Sequence, residues 1–317
     1  MSWDMYSNMQ EAGQTAFLTM QDGTKIRTMA WPSKEGCRGI IVLVNGHREY
    51  MEKYYEFIDD FLKRGFALYT LDNRGQGLSD RELPDRTKSY ASDFDLFSND
   101  LNEVMSNLVL NDPRSADVLI YLLGHSLGGH ICLRYLHDFP GIVSKALVMA
   151  PMIEFNLGGI VTKTFLKGII RAASYFGLSR KFAMGQGNLF SKKARLIRQK
   201  LLTHDDDRYA VEADIIKSNP ELYVGGATFG WLDTAFDSIN KIKSPGYIKE
   251  ISTPVLAVLA GADFVVNSDA SGELLSGYDN IDIAIIEGSR HEIYRESDIY
   301  RDQLWQKIDE FLGVKQG

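Results

Sequence analysis

Short apolar runs recur along the chain, each closed by Gly, Pro, Asn or Asp. Runs of this length with such boundaries predict buried strands. They fall at 39–46 (GIIVLVNG), 66–72 (FALYTLD), 118–124 (VLIYLLG), 145–151 (KALVMAP), 254–261 (PVLAVLAG) and 281–288 (IDIAIIEG). Helical patterns alternate with them and predict helices over 53–64, 95–110, 127–139, 268–276 and 299–312. Strands alternating with helices imply an α/β fold, a mostly parallel central sheet covered by helices on both faces. Ahead of this series TAFLTM and KIRTMAW flank the turn QDGT, which predicts an antiparallel hairpin at one sheet edge.

The rhythm breaks once. Between Pro151 and Thr253 about a hundred residues pass with helical character and no convincing core strand. The expected division is a core of residues 1–152 and 253–317 with an inserted helical cap over 153–252, set above the carboxyl ends of the strands, where open α/β sheets bind ligands. Charge changes at the same place. Residues 153–200 hold ten Lys and Arg against one acid, Glu154, a net +9 in a chain whose total is −7. A solvated helical face would look the same, and so would a face that rests on an anionic membrane.

Overall charge argues against a nucleic-acid partner. The two cysteines, Cys37 and Cys132, suit a reducing compartment and exclude a disulfide framework. The first thirty residues lack the pattern of a secretory signal, and no apolar run is long enough to span a membrane. The expectation is therefore a cytoplasmic protein, with peripheral contact at the inner membrane face as a further expectation; the oligomeric state stays open.

Chemistry concentrates at Gly124-His125-Ser126-Leu127-Gly128, a G-x-S-x-G between a predicted strand and a predicted helix. Ser126 could merely cap the helix. The strand–turn–helix setting favours a nucleophile, with Gly124 and Gly128 allowing strand and helix to approach. A serine nucleophile needs a base. His125 adjoins the serine and is expected to point into the sheet. His130 and His137 lie on the following helix, and His204 lies in the cap. His291, after the last strand, is the one left to return to the same sheet edge. Asp263 ends the preceding strand and is the expected orienting carboxylate; Asp269 and Asp282 fit less well. The oxyanion hole is expected from the N–H groups of Leu127 and His47, with Gly46 allowing close backbone approach. Asp205-Asp206-Asp207 reads as a helix cap or solvated turn rather than a metal site. DNRGQGLSD reads as a tight turn in which Arg74 ties loops together. No cofactor or metal is called for.

Together NGHREY, DNRGQGLSD, GHSLGG, GADF and GSRHEI resemble the monoacylglycerol lipase and bacterial lysophospholipase L2 branch of the α/β-hydrolases, within the serine aminopeptidase S33 type. LTHDDDRY and TFGWLDTAFDSI in the cap resemble its bacterial members, so the likeness runs from about Gly23 to Leu312. The resemblance implies an α/β-hydrolase fold and assigns Ser126, Asp263 and His291 to the triad, and His47 and Leu127 to the oxyanion hole. It makes Glu49 and Glu292 supporting residues and a monoacyl lipid ester the substrate. Two positions depart from the pattern: Asn45 and Tyr50 stand where the family has histidines. A short-chain carboxylesterase and a proline-type aminopeptidase share the scaffold. A peptidase needs cap acids for the substrate amine, and the early cap offers only Glu154. A ligand-binding protein without catalysis is the alternative of another class.

Overall fold

In the computed structural model the described residues are 3–32, 36–156, 160–187 and 192–314, with the side chains of 3–4, 160–163 and 192–196 outside the description. The chain opens with helix α1 (Trp3–Ala12) and strands β1 (Gln14–Thr19), β2 (Lys25–Trp31) and β3 (Ile40–Val44). Then come α2 (Tyr55–Lys63), β4 (Ala67–Leu71), α3 (Asp95–Val104), β5 (Ile120–His125), α4 (Leu127–Asp138) and β6 (Lys145–Met149). Four helices separate β6 from the next strand: α5 (Ile160–Ala173), α6 (Lys192–Leu202), α7 (Asp206–Ser218) and α8 (Phe229–Ile242). The chain closes with β7 (Val255–Ala260), α9 (Ser268–Leu275), β8 (Ile281–Ile286) and α10 (Asp298–Leu312).

All eight strands join one sheet in the order β1-β2-β4-β3-β5-β6-β7-β8. β1 with β2 and β2 with β4 are antiparallel, and the rest are parallel. This is the α/β-hydrolase fold. The predicted edge hairpin is β1–β2. Every residue of β3, β5 and β7 is buried, because side chains of period two go alternately to two covered faces. Ile40, Val42 and Val44 join one apolar layer with α3, α4 and α9, while Ile41 and Leu43 join the other with α2 and α10. Each such side chain contributes roughly 1.5–3 kcal/mol through burial.

Two expectations need correction. β8 is an edge strand rather than a buried one: Asp282 and Ile285 are exposed, and among the described residues no strand pairs with its outer side. Helix α1 was not predicted; its Met9 is buried, and the Met9 carbonyl accepts a 2.9 Å bond from Trp31 Nε1. Helix α8 also belongs to the layer on the sheet, through Trp231, Ala235 and Ile239.

The positive stretch meets acids supplied by later helices. Arg171 pairs with Asp233 and Asp237 of α8, and Arg198 with Glu212 of α7. Lys163, Lys192, Lys193 and Arg195 have side chains outside those described. No described helix is long and apolar enough to cross a membrane.

Candidate active site

Strand β5 ends at His125 and α4 begins at Leu127, so one residue makes the turn. That residue, Ser126, takes φ 54° and ψ −113°. A non-glycine residue there stores on the order of 1–3 kcal/mol of strain. Backbone bonds hold it: the Ser126 N–H donates to the Met149 carbonyl at 2.9 Å, and its carbonyl accepts from His130 N–H at 3.1 Å and Met152 N–H at 3.0 Å. The flanking glycines are required by contact. A Cβ on Gly128 would stand 2.0 Å from the Val44 carbonyl oxygen, and one on Gly124 would stand 2.3 Å from that of Gly128. Strand β3, strand β5 and α4 are thus too close for any side chain at either position.

His291, in the loop after β8, brings Nε2 to 2.9 Å from Ser126 Oγ. Its Nδ1 lies 2.7 Å from Asp263 Oδ2, in the loop after β7. A carboxylate only accepts, so Nδ1 carries the proton and Nε2 is free to accept from the serine hydroxyl. The other Asp263 oxygen accepts from the N–H groups of Val265 at 2.7 Å and Val266 at 2.9 Å. Burial alone would raise the Asp263 carboxyl, but the histidine charge and these hydrogen bonds hold it below its ordinary value. For His291 burial acts downward, and the Asp263 charge and hydrogen bond outweigh it, leaving the imidazole above its ordinary value.

The other histidines are engaged elsewhere. His130 binds the Met152 carbonyl and Ser238, and burial depresses its pKa to about 3. His137 stacks on Tyr247, and His204 binds Glu296. His125 does more than point into the sheet: its Nε2 donates to the His291 carbonyl at 3.1 Å, bracing the histidine loop from behind. Asp205 caps α7 by accepting from Arg208 N–H.

Among the described residues no hydrogen-bond acceptor meets the backbone N–H of His47 or of Leu127. The loop carrying His47 is fixed on both sides by Gln76. Its amide nitrogen donates to the Gly46 carbonyl at 2.9 Å, and its oxygen accepts from Arg48 N–H at 2.5 Å. Sequence reasoning gave the DNRGQGLSD loop to turn geometry and missed this contact; only the single polar residue between its two glycines hinted at it. Arg74 ties its loop to helix α3 through Asp100 and to the β1–β2 turn through Asp22, a helix and a turn rather than two loops. The ring of His47 lies on Trp231 at 3.9 Å and meets Ser89 Oγ at 2.9 Å. Burial, then Arg48 and Arg198, push its pKa well down, so the ring is neutral.

Glu49 and Glu292 are not exposed acids. Glu49 accepts from Gly46 N–H at 2.6 Å and pairs with Lys53 at 2.9 Å; Glu292 pairs with the same Lys53 at 2.5 Å. All three side chains are buried. Lys53, which the sequence did not single out, therefore locks the loop of His47 to the loop of His291. Helix α6 and the turn after it also grip the histidine loop, through Glu292 N–H to the Leu202 carbonyl and Arg290 to the Thr203 carbonyl. At the two departures from the family pattern, Asn45 Nδ2 donates to the Leu71 carbonyl and Tyr50 is buried.

Ser126, His47 and His291 open on a cavity of about 600 Å³. Phe155, Leu166, Ile170, Leu232 and Phe236 line much of it, and Arg48, Arg198, Glu49 and Glu292 are charged residues in its lining. The sequence pattern of the family described as "Serine aminopeptidase, S33" matches residues 35–298.

The chain belongs to that family.

The chain is 26% identical over 280 residues to a probable lysophospholipase L2 of Haemophilus influenzae, covering 88% of this chain and 85% of that protein. It is 26% identical to the lysophospholipase L2 of Escherichia coli K12, covering 86% and 80%. The fold is similar to a soluble variant of monoglyceride lipase from Saccharomyces cerevisiae, with a TM-score of 0.76 over 96% of this chain and 97% of that one at 19% identity.

Proposed function

We propose that this S33 family member is a carboxylic-ester hydrolase acting on monoacyl lipids, a lysophospholipid or a monoacylglycerol, through Ser126, His291 and Asp263. The observation that carries the reading is the Ser126–His291–Asp263 relay, with links of 2.9 and 2.7 Å, opening on an apolar cavity. The named activities of the lysophospholipase and monoglyceride lipase relatives support the substrate class.

In this reading His291 Nε2 takes the hydroxyl proton as Ser126 Oγ attacks the acyl carbonyl carbon. The N–H groups of His47 and Leu127 receive the oxyanion. Asp263 stabilises the imidazolium. The tetrahedral species collapses, His291 gives its proton to the leaving alkoxide, and the alcohol departs. Water then attacks the acyl-serine by the same proton route and frees the fatty acid and Ser126. The apolar lining suits a single acyl chain. In this arrangement residues 153–252 act as a cap over the site. The exposed Phe165, Tyr175 and Phe176 support a membrane-facing role for that cap.

An aminopeptidase would need a free carboxylate in the cavity to hold the substrate amine. Glu49 and Glu292 are paired with Lys53, and Glu154 with Lys243 and Asn267. A panel of lysophospholipids, monoacylglycerols, short p-nitrophenyl esters and amino-acid amides tests the reading, with fluorophosphonate labelling of the serine. The expected outcome is ester turnover and labelling in the wild type, both lost in Ser126→Ala with the melting transition retained. Preferred hydrolysis of amides, or labelling that survives Ser126→Ala, would overturn it.

A further inference from the structure

The catalytic cavity shares part of its lining with a second one. Arg48 and Arg198 line the catalytic cavity, and the same two side chains line a neighbouring cavity of about 540 Å³ walled by Tyr209, Glu212 and Tyr223. The two spaces meet at this arginine pair. Among the described residues four cations stand around the junction, Arg48, Lys53, Arg198 and Arg295, against three carboxylates, Glu49, Glu212 and Glu292. Lys53 pairs with Glu49 and Glu292, Arg198 with Glu212 at 3.0 Å, and Arg295 with Glu212 at 3.3 Å and Glu292 at 3.0 Å. Arg48 makes no ion pair with a carboxylate among the described residues; its Nε donates to the Val224 carbonyl at 3.3 Å, its side chain also hydrogen-bonds Tyr223, and Glu212 acts on it only through charge. The outer wall adds Asp214 and Lys217, one of each sign.

Arg48 is also held in place. Its backbone takes φ 63°, unusual for a side chain with a Cβ, and its N–H is bound to Gln76. It directly follows His47, so its position is tied to the oxyanion loop. The apolar lining suits the acyl chain, which leaves the arginine pair for the alcohol part of the ester. A guanidinium without an ion-paired carboxylate matches a phosphate, to which it can donate two parallel N–H bonds.

We propose that Arg48, assisted by Arg198, binds the phosphodiester of a lysophospholipid head group and selects phosphate-bearing glyceryl esters over uncharged ones. The proposal rests on the ester-hydrolase reading and deepens it. Burial and then the Arg198 charge push the Arg48 guanidinium down to about 10, the direction expected of a cation short of an anion.

The test compares kcat/KM for palmitoyl lysophosphatidylethanolamine and for monopalmitoylglycerol, presented in the same neutral micelles. The wild type should favour the phosphate ester. In Arg48→Gln the ratio of the two values should fall roughly 10- to 100-fold, chiefly through KM, as expected for loss of a hydrogen-bonded charge. Arg48→Lys should recover part of the ratio, because the charge stays and the paired donors are lost. Glycerophosphoethanolamine should compete with a short p-nitrophenyl ester in the wild type and far less in Arg48→Gln. Inorganic phosphate competing equally well would indicate a site for free anions and overturn the head-group assignment. Equal loss on both lipids, or a ratio within twofold of wild type, would overturn the subsite while monopalmitoylglycerol turnover leaves the ester-hydrolase reading standing. Hydrolysis of neither lipid by the wild type would remove both.

Discussion

Replacing Lys53 with Met should expose how much of the site is held by one buried charge. The ammonium lies 2.9 Å from Glu49 and 2.5 Å from Glu292, with Glu212 at 3.8 Å, and its side chain is 1% exposed. Methionine nearly conserves volume, so the perturbation is electrostatic rather than a cavity. Removing one partner of a buried ion pair costs about 3–5 kcal/mol, because the remaining charge stays desolvated. Unfolding entropy of about 2 cal/mol/K per residue gives a chain of 317 residues roughly 0.7 kcal/mol/K, so the melting temperature should fall by about 4–8 °C.

The effect should depend on pH in a defined direction. Burial pushes the Glu49 and Glu212 carboxyls up, and Lys53 is the first of the charges that overcome it and hold both below their ordinary values. In the wild type this depression adds stability above the unfolded-state value near 4.5, lost as pH falls through the lower folded value. Without Lys53 the burial effect is less opposed and the folded values rise, so the penalty of the variant should shrink as pH drops from 7 toward 5. Adding Glu292→Gln to Lys53→Met should restore part of the loss, since one uncompensated charge goes with it. Urea and thermal melts at pH 5, 6 and 7 read all of this. A loss below about 1 kcal/mol at pH 7, or one that grows on acidification, would refute the argument.

The acid limb of kcat/KM should follow His291, which must be neutral to accept the serine proton. Its raised pKa places that limb above the ordinary imidazole value, and Asp263→Asn should move the limb to lower pH while cutting kcat by about 10³–10⁴-fold. An unmoved limb in stopped-flow pH profiles would mean another group titrates. Gln76→Leu removes both bonds that frame His47 and should lower kcat roughly 10- to 100-fold with little change in KM, because the loss is in oxyanion geometry. An equal rise in KM at constant kcat would show that Gln76 acts on substrate binding instead.

The elements that follow from local rules were legible in the chain itself. Five of the six apolar runs between 39 and 288 became interior strands because a parallel strand covered on both faces must be continuously apolar. The sixth, β8, looked the same in sequence and is an edge strand, since an outer position depends on what is absent beside it. Glycines 124 and 128 announced a tight strand–helix turn, and the remaining loops offered one histidine and one aspartate well placed to meet it. Local pattern could not reveal contacts that bring distant segments together. Gln76 reaches back past α2 and β4 to Gly46 and Arg48, Lys53 joins Glu49 to Glu292 across more than two hundred residues, and Leu202 receives the Glu292 N–H. Such contacts have no period and no fixed spacing. Charge showed the same division: the excess over 153–200 is visible in the sequence, but tertiary packing decides which cations meet Asp233, Asp237 and Glu212 and leaves Arg48 without an ion-paired carboxylate among the described residues. Desolvation and charge pairing depend on what surrounds a side chain in space, and that is set only when the chain has folded.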